Sequence, residues 1–296
     1  MAPVAVVTDS TADFPARKIE GLDITMVPVY VIIGEKSYRD GTELSREEFA
    51  DILRRILDSS KNPQFPKTSQ PSAGDFAEAY RKLSKITDSI VSIHPPSELS
   101  GIFNSASLAK EIVEQENPEL KIKVIDSSTV SFGLGNLVMK AAMRAKMGAS
   151  VEEIERDTKE LGPKTLIYAL VDDLRFINKG GRADKVDGWK IPIGAFLKIK
   201  TIVKLYNGKV SIVTIHRKKK HGIEKLKELF EELHTTKGGI QQAAVIHAIG
   251  EAEAKELADS LKDDHPELEI PIIQTGPALT AQVGPGVVAF GVEVGI

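Results

Sequence analysis

Short apolar runs alternate with helical stripes along this chain. "VAVV" (4–7), "SIVSI" (89–93) and "IKVI" (122–125) have strand length and almost no polar interruption, as expected of strands buried on both faces. Between them the apolar positions change to a helical period. In "LSREEFADILRRILDSS" the residues Phe49, Ile52, Leu53, Ile56 and Leu57 recur at i, i+3, i+4, i+7 and i+8, one face of a helix. Ser45 with Glu48 has capping-box spacing at its start, and Ser150 with Glu153 has the same spacing before "VEEIERDTKEL". Strands alternating with amphipathic helices predict βαβ units around a mostly parallel sheet.

"LGPKT" (161–165) interrupts the pattern, which restarts with the strand-like "LIYALVD". In "KTIVKLYNGKVSIVTIHR" the pair Asn207-Gly208 separates two strand-like runs, a strong signal for a type I′ hairpin. A helix "GIEKLKELFEELH", a strand "AAVIHAI", another helix and a strand "LEIPII" (268–273) follow. The expected architecture is α/β in two domains meeting near residue 163. Residues 1–162 form an N-terminal α/β domain on a mostly parallel sheet with flanking helices. Residues 163–296 form a C-terminal α/β domain with a mixed sheet and helices.

Composition narrows the function. The 296 residues are 42% hydrophobic and 27% charged, with a formal net charge of −3. That balance fits a soluble globular protein and argues against an electrostatic grip on nucleic acid. No apolar run approaches the roughly 20 residues of a membrane span, and the N-terminus lacks the basic and apolar regions of a signal peptide. A cytoplasmic location is the default expectation. The chain has no cysteine, which excludes disulfides, thiolate nucleophiles and zinc–cysteine sites.

In parallel α/β sheets ligands bind beyond the carboxyl ends of the strands. There the chain collects hydroxyls and amides: Thr8, Asp9, Ser10 and Thr11 after the first run; Ser97, Ser100, Gly101, Asn104 and Ser105 after the second; Asp126, Ser127, Ser128 and Thr129 after the third. "KTSQPSAGDF" adds Thr68, Ser69, Gln70 and Ser72 before entering a helix. Such residues also cap helices and close turns, and that explanation suffices for any single loop. Their recurrence in several loops is the functional signal. Neutral donors, with free N–H groups at a helix starting near Ser100-Gly101, suit a carboxylate or phosphate. No phosphate-binding loop, zinc helix or nucleophile elbow occurs, and no cofactor is implied. "GLGNLV" (133–138) lacks the third glycine of a dinucleotide fingerprint and reads as helix packing. His94, beside Pro95-Pro96, reads as a turn or surface residue, with activation of a nearby serine as the alternative. "HRKKKHG" (216–222) reads as a solvated face. In "NKGGRAD" two glycines precede Arg182, a loop able to approach a ligand or partner closely. The glycines of "TGPALTAQVGPG" read as a tightly packed turn before the last strand.

"VTDSTAD", "KTSQPSAGDF", "SELSGIFNSA", "VIDSSTVSFGLG", "NKGGRAD" and "TGPALTAQVGPG" occur in the order of the DegV family, and the chain resembles that family over essentially its whole length. The family is similar to the fatty-acid-binding subunits of bacterial fatty acid kinase. The resemblance implies two α/β domains with a long acyl chain buried between or within them. It implies a long-chain fatty acid as ligand and an ATP-binding kinase subunit as partner, with no catalysis by this chain itself. It puts Thr68, Ser100 and Gln282 at the fatty-acid carboxylate. Thr8, Asp9, Ser10, Ser69, Ser97, Gly101, Ser127 and Ser128 are placed on the pocket rim or partner-facing surface, and Arg182 near the entrance. The family usually has Thr-His where this chain has Ala281-Gln282. Glutamine donates and accepts hydrogen bonds but carries no proton charge, which weakens the expectation of phosphotransfer and leaves lipid binding intact. The residues alone leave two other readings open: a serine-dependent acyl hydrolase using Ser100 or Ser97, and a binding module for a phosphorylated or polyhydroxy metabolite.

Overall fold

Strands in the first half take both of their apolar faces from a strict alternation. The structure is a computed structural model and describes residues 3–15, 21–59, 63–179, 183–191, 199–236 and 238–295. Strands β1 (Ala5–Asp9), β2 (Ile24–Val27), β6 (Ser89–His94) and β7 (Lys121–Asp126) form a sheet of order β2-β1-β6-β7, parallel throughout. Val7, Ile90 and Ile122 point to one face and pack with Phe76 and Tyr80 of α2 (Ala73–Leu83) and Ala106 and Ala109 of α3 (Ile102–Glu116). Val6, Val91, Ile93 and Ile125 point the other way, against Leu134 and Val138 of α4 (Ser131–Lys146) and Ile154 of α5 (Val151–Leu161). Helices on both faces explain why these strands read as unbroken apolar runs.

The capping boxes form as their spacing predicts. Ser45 and Glu48 exchange hydrogen bonds at the start of α1 (Arg46–Ser59), and Ser150 and Glu153 do so at the start of α5. A small antiparallel sheet was not legible in the pattern. β3 (Tyr30–Ile33) pairs with β4 (Lys36–Arg39) and with β5 (Lys67–Ser69), so "KTS" is a strand before α2 rather than a loop. Three residues are too few to display alternation.

The second half is one mixed sheet. It is built from β8 (Thr165–Val171), β9 (Val186–Asp187), β10 (Lys200–Tyr206), β11 (Lys209–His216), β12 (Ile240–Ala248), β13 (Ile272–Gln274) and β14 (Val287–Val294), in the order β13-β12-β14-β8-β10-β11-β9. Asn207 and Gly208 have φ of 48° and 76°, the two positive values a type I′ turn needs, and join β10 to β11. The strand expected over 268–273 covers only Ile272–Gln274. Pro271 has no N–H to offer a ladder and sits just ahead of it.

The two faces of this sheet serve different ends. Leu166, Tyr168 and Leu170 of β8 lie under α7 (Lys219–His234) and α8 (Glu251–Asp264), packed with Leu226, Phe230, Leu257 and Leu261. Ile167, Ala169 and Val171 face the opposite way, toward the carboxyl edge of the first sheet. Helix α4 bridges the two sheets, and Gly135 lets it approach so closely that a Cβ there would stand 2.2 Å from the Asp13 carbonyl oxygen. On its other side the buried Glu293 of β14 accepts hydrogen bonds from Asn136 and Lys140 of α4, at 2.8 and 2.6 Å. "GLGNLV" is therefore helix packing, as its spacing suggested.

Candidate functional site

Two chambers open between the carboxyl edge of the parallel sheet and the free face of the mixed sheet. The inner one, of about 180 Å³, is apolar and lined by Ile167, Ala169, Val203, Leu205, Ile246 and Ala289, among others. Ala169 and Ala289 are cross-strand partners, so two small side chains lie side by side and hollow out the sheet face. The outer chamber, of about 210 Å³, is lined mainly by polar groups, including Thr68, Gln70 and Gly101. Both chambers share Thr11, Leu99, Ser100, Lys185 and Gln282, so they adjoin at those residues.

The polar chamber is assembled from short elements. Thr68 is the middle residue of β5, and alternation turns it inward while Lys67 and Ser69 face out. Gln282 lies in the last turn of α9 (Pro277–Val283), and its Nε2 donates to Thr68 Oγ1 at 3.4 Å. Ser100 precedes the start of α3, where its Oγ accepts from the Ile102 N–H at 3.3 Å. Gly101 is the N-cap of α3 and has no side chain of its own to cap the helix. A Cβ on Gly101 would stand 2.5 Å from the Gln70 amide, so glycine is what lets Gln70 lie over the helix start. The chamber thus offers hydroxyls, amides and the positive end of a helix dipole to an anion. Lys185, exposed at the mouth, is the only charged side chain lining either chamber among the described residues.

Thr68, Ser100, Gly101 and Gln282 are brought together. The remaining rim candidates among the described residues are not chamber-lining. Thr8 is buried and donates to the Ile93 carbonyl at 2.9 Å. Asp9 is buried and accepts from Thr11 and from His94. Ser10 donates to Asp40 and accepts from the Val29 N–H. Ser127 donates to the Thr129 carbonyl, and Ser128, with φ of 58°, donates its N–H to Asp126. Ser69 and Ser97 are exposed, the latter donating its N–H to Asp126. The polar residues at and just past each strand end bond within the fold, and the chamber meets later ones, Thr11, Ser100 and Ser131. Arg182 lies outside the described residues. The sequence reading named Gln70 and Thr11 only within their clusters and did not single out Lys185. The one signal for Lys185 was its position just after "GGRAD".

His94 is not a turn or surface residue. It ends β6, fully buried, with Nδ1 2.8 Å from Asp9 Oδ2 and Nε2 2.7 Å from Ser92 Oγ, while Tyr80 donates to Ser92 at 2.8 Å. Asp9 accepts from Nδ1, and Nε2 is engaged with the Ser92 hydroxyl. The connectivity is that of a Ser-His-Asp triad, yet Ser92 and His94 are both inaccessible and neither lines a chamber. Both imidazole nitrogens are engaged, so His94 has none to spare for Ser97 or Ser100.

Two further carboxyls position α9. Asp13 accepts from the Gly276 N–H at 3.0 Å and from Ser131 at 2.7 Å. Asp40 accepts from Ser10 at 2.8 Å and from the Ala278 N–H at 3.3 Å. Burial pushes Asp13 up to about 6, against the hydrogen bond from Ser131 and the charge of Arg46. Burial pushes Asp40 up to about 7, opposed by the Ser10 hydrogen bond and reinforced by the negative charge of Asp13.

Known proteins match this chain over nearly its whole length. The Bacillus subtilis protein DegV is 33% identical over 284 residues, which is 96% of this chain and 96% of that protein. Its crystal structure, described as that of a fatty acid binding protein, matches with a TM-score of 0.84 and 31% identity, covering 99% of this chain and all (100%) of that one. A DegV family protein of Thermus thermophilus, described by its fatty acid binding, matches with a TM-score of 0.84 at 28% identity, covering 99% of each chain. The family model described as "Uncharacterised protein, DegV family" matches residues 3–294. This chain belongs to the DegV family.

Proposed function

We propose that this protein is a cytoplasmic carrier that buries a long-chain fatty acid and presents its carboxylate to a separate ATP-dependent fatty acid kinase subunit. The observation that carries the reading is the adjoining pair of chambers, apolar within and polar at the mouth. The acyl chain occupies the inner chamber against Ala169 and Ala289. Thr68, Ser100 and Gln282 hold the carboxylate, with the start of α3 and Lys185 supplying positive potential. Each buried CH₂ contributes about 0.8 kcal/mol, so a C16 tail gives binding that survives purification. Arg182 faces the kinase subunit in this proposal, and the chain divides into folding units at 1–162 and 163–296. The fatty acid binding described for relatives supports the ligand class. A sugar phosphate would leave the inner chamber without a partner. No histidine lines either chamber among the described residues, which speaks against a serine hydrolase.

Native mass spectrometry of protein made in bacteria tests this. The expected result is an adduct of fatty-acid mass, released as free acid on denaturation. Lipid-free protein in repeated preparations from lipid-replete cells would sink the proposal.

A further inference from the structure

Helices α7 and α8 cover the mixed sheet on the side away from the chambers, and their carboxyl ends meet. His234 is the last residue of α7, and His265 is the C-cap of α8. The two rings lie 4.3 Å apart between centroids. Glu267 completes the group, with Oε1 3.5 Å from His234 Nε2 and 3.6 Å from His265 Nδ1. One ligand atom from each of the three lies within 4.8 Å of the others. Behind them, Glu231 Oε1 stands 2.6 Å from His265 Nε2, and the Phe230 ring forms an apolar wall 5.4 Å from His265.

A carboxylate can only accept, so His265 Nε2 donates to Glu231. Nδ1, the other ring nitrogen, faces Glu267 Oε1 across 3.6 Å, a gap wider than a direct hydrogen bond and of the size that a shared cation spans. A carboxylate behind one ring nitrogen, orienting the other toward a metal, is a recurrent second layer of metal sites. Metal bonds of about 2.0–2.2 Å in tetrahedral geometry separate ligand atoms by roughly 3.3–3.6 Å, close to the two distances above. Two helix carboxyl ends also favour positive charge at this place.

We infer that His234, His265 and Glu267, backed by Glu231, bind one first-row divalent cation of the zinc type and staple the ends of α7 and α8. The nitrogen-rich donor set selects zinc over magnesium, which prefers oxygen. The site lies across the sheet from the chambers, so its role is structural and independent of the proposed carrier function.

The full chain, stripped with chelator, is titrated with Zn²⁺ by calorimetry and with Co²⁺ by visible absorption. One equivalent should bind, Co²⁺ should show the intense bands of a tetrahedral site, and Tm should rise with Zn²⁺ but not with Mg²⁺. Glu267→Gln changes an exposed side chain and leaves the fold intact; it should weaken Zn²⁺ at least tenfold. Glu231→Gln should cost about 10–100-fold through the ring orientation. No saturable Zn²⁺ binding, or binding unchanged in both Glu267→Gln and His234→Ala, would overturn the inference. Fatty-acid content, measured on the same samples, should not follow the metal.

Discussion

Thr68 and Ser69 are neighbours with similar side chains and opposite surroundings. The pairing of β5 with β3 points Thr68 into the polar chamber and Ser69 to solvent. Composition alone does not distinguish them, and the family resemblance places Thr68 at the carboxylate and Ser69 on the rim; the register of a three-residue strand is what sets them apart physically. The same holds at the end of β1, where Thr8, Asp9 and Ser10 serve the fold and Thr11 reaches the chamber. Which loops carry the site was legible from apolar runs ending in hydroxyls. Which hydroxyl of each loop faces the cavity was not, because it depends on where the chain turns. Replacing Thr68 and Ser100 together by Ala should weaken fatty-acid binding without unfolding the protein. Each hydrogen bond lost to a charged oxygen should cost about 1.5–3 kcal/mol. Displacement of a fluorescent fatty acid, set beside Tm, decides the matter. Unchanged affinity with a lowered Tm would assign both hydroxyls to structure, Ser100 through its bond to the Ile102 N–H.

Helix α9 shows how a short element can be held where its own length gives little stability. Seven residues carry Leu279, Gln282 and Val283 to the chambers, and the bonds that place them come from Asp13 and Asp40, far away in sequence. The sequence offered only "a packed turn" here, since neither aspartate is near "TGPALT". The longer elements were legible because their periodicity is repeated over many residues. A pH dependence follows from the two aspartates. Both ionise at higher pH in the folded state than an unfolded aspartate does, at about 6 and about 7. The folded state therefore keeps protons that the unfolded chain releases. Their contribution to stability is full below about pH 4 and is lost as pH rises through 6 to 7. Asp40→Asn keeps an acceptor for Ser10 and the Ala278 N–H but cannot ionise. Its denaturant-unfolding free energy should fall less between pH 4 and 8 than that of the parent. Parallel stability curves for the two proteins would show that the aspartate pair does not set this slope.

At the scale of the molecule, one face of the mixed sheet lies away from α7 and α8 and carries apolar side chains of its own. The alternation in β8 and β14 required a second covering layer, and the sequence could not say what supplies it. Part of the answer is the carboxyl edge of the parallel sheet and part is helix α4; the rest is the inner chamber itself. A ligand lodged there touches residues from both sheets, so its binding is added to the work of unfolding. With free fatty acid at 100 times Kd the gain is about 2.7 kcal/mol, several degrees in Tm. Calorimetric scans of delipidated protein titrated with fatty acid should climb with the logarithm of its concentration, and a Tm indifferent to the ligand would separate the cavity from the fold's cohesion. A carrier built in this way is most robust when loaded, and delivery of its cargo is also the moment at which it becomes easiest to unfold and degrade.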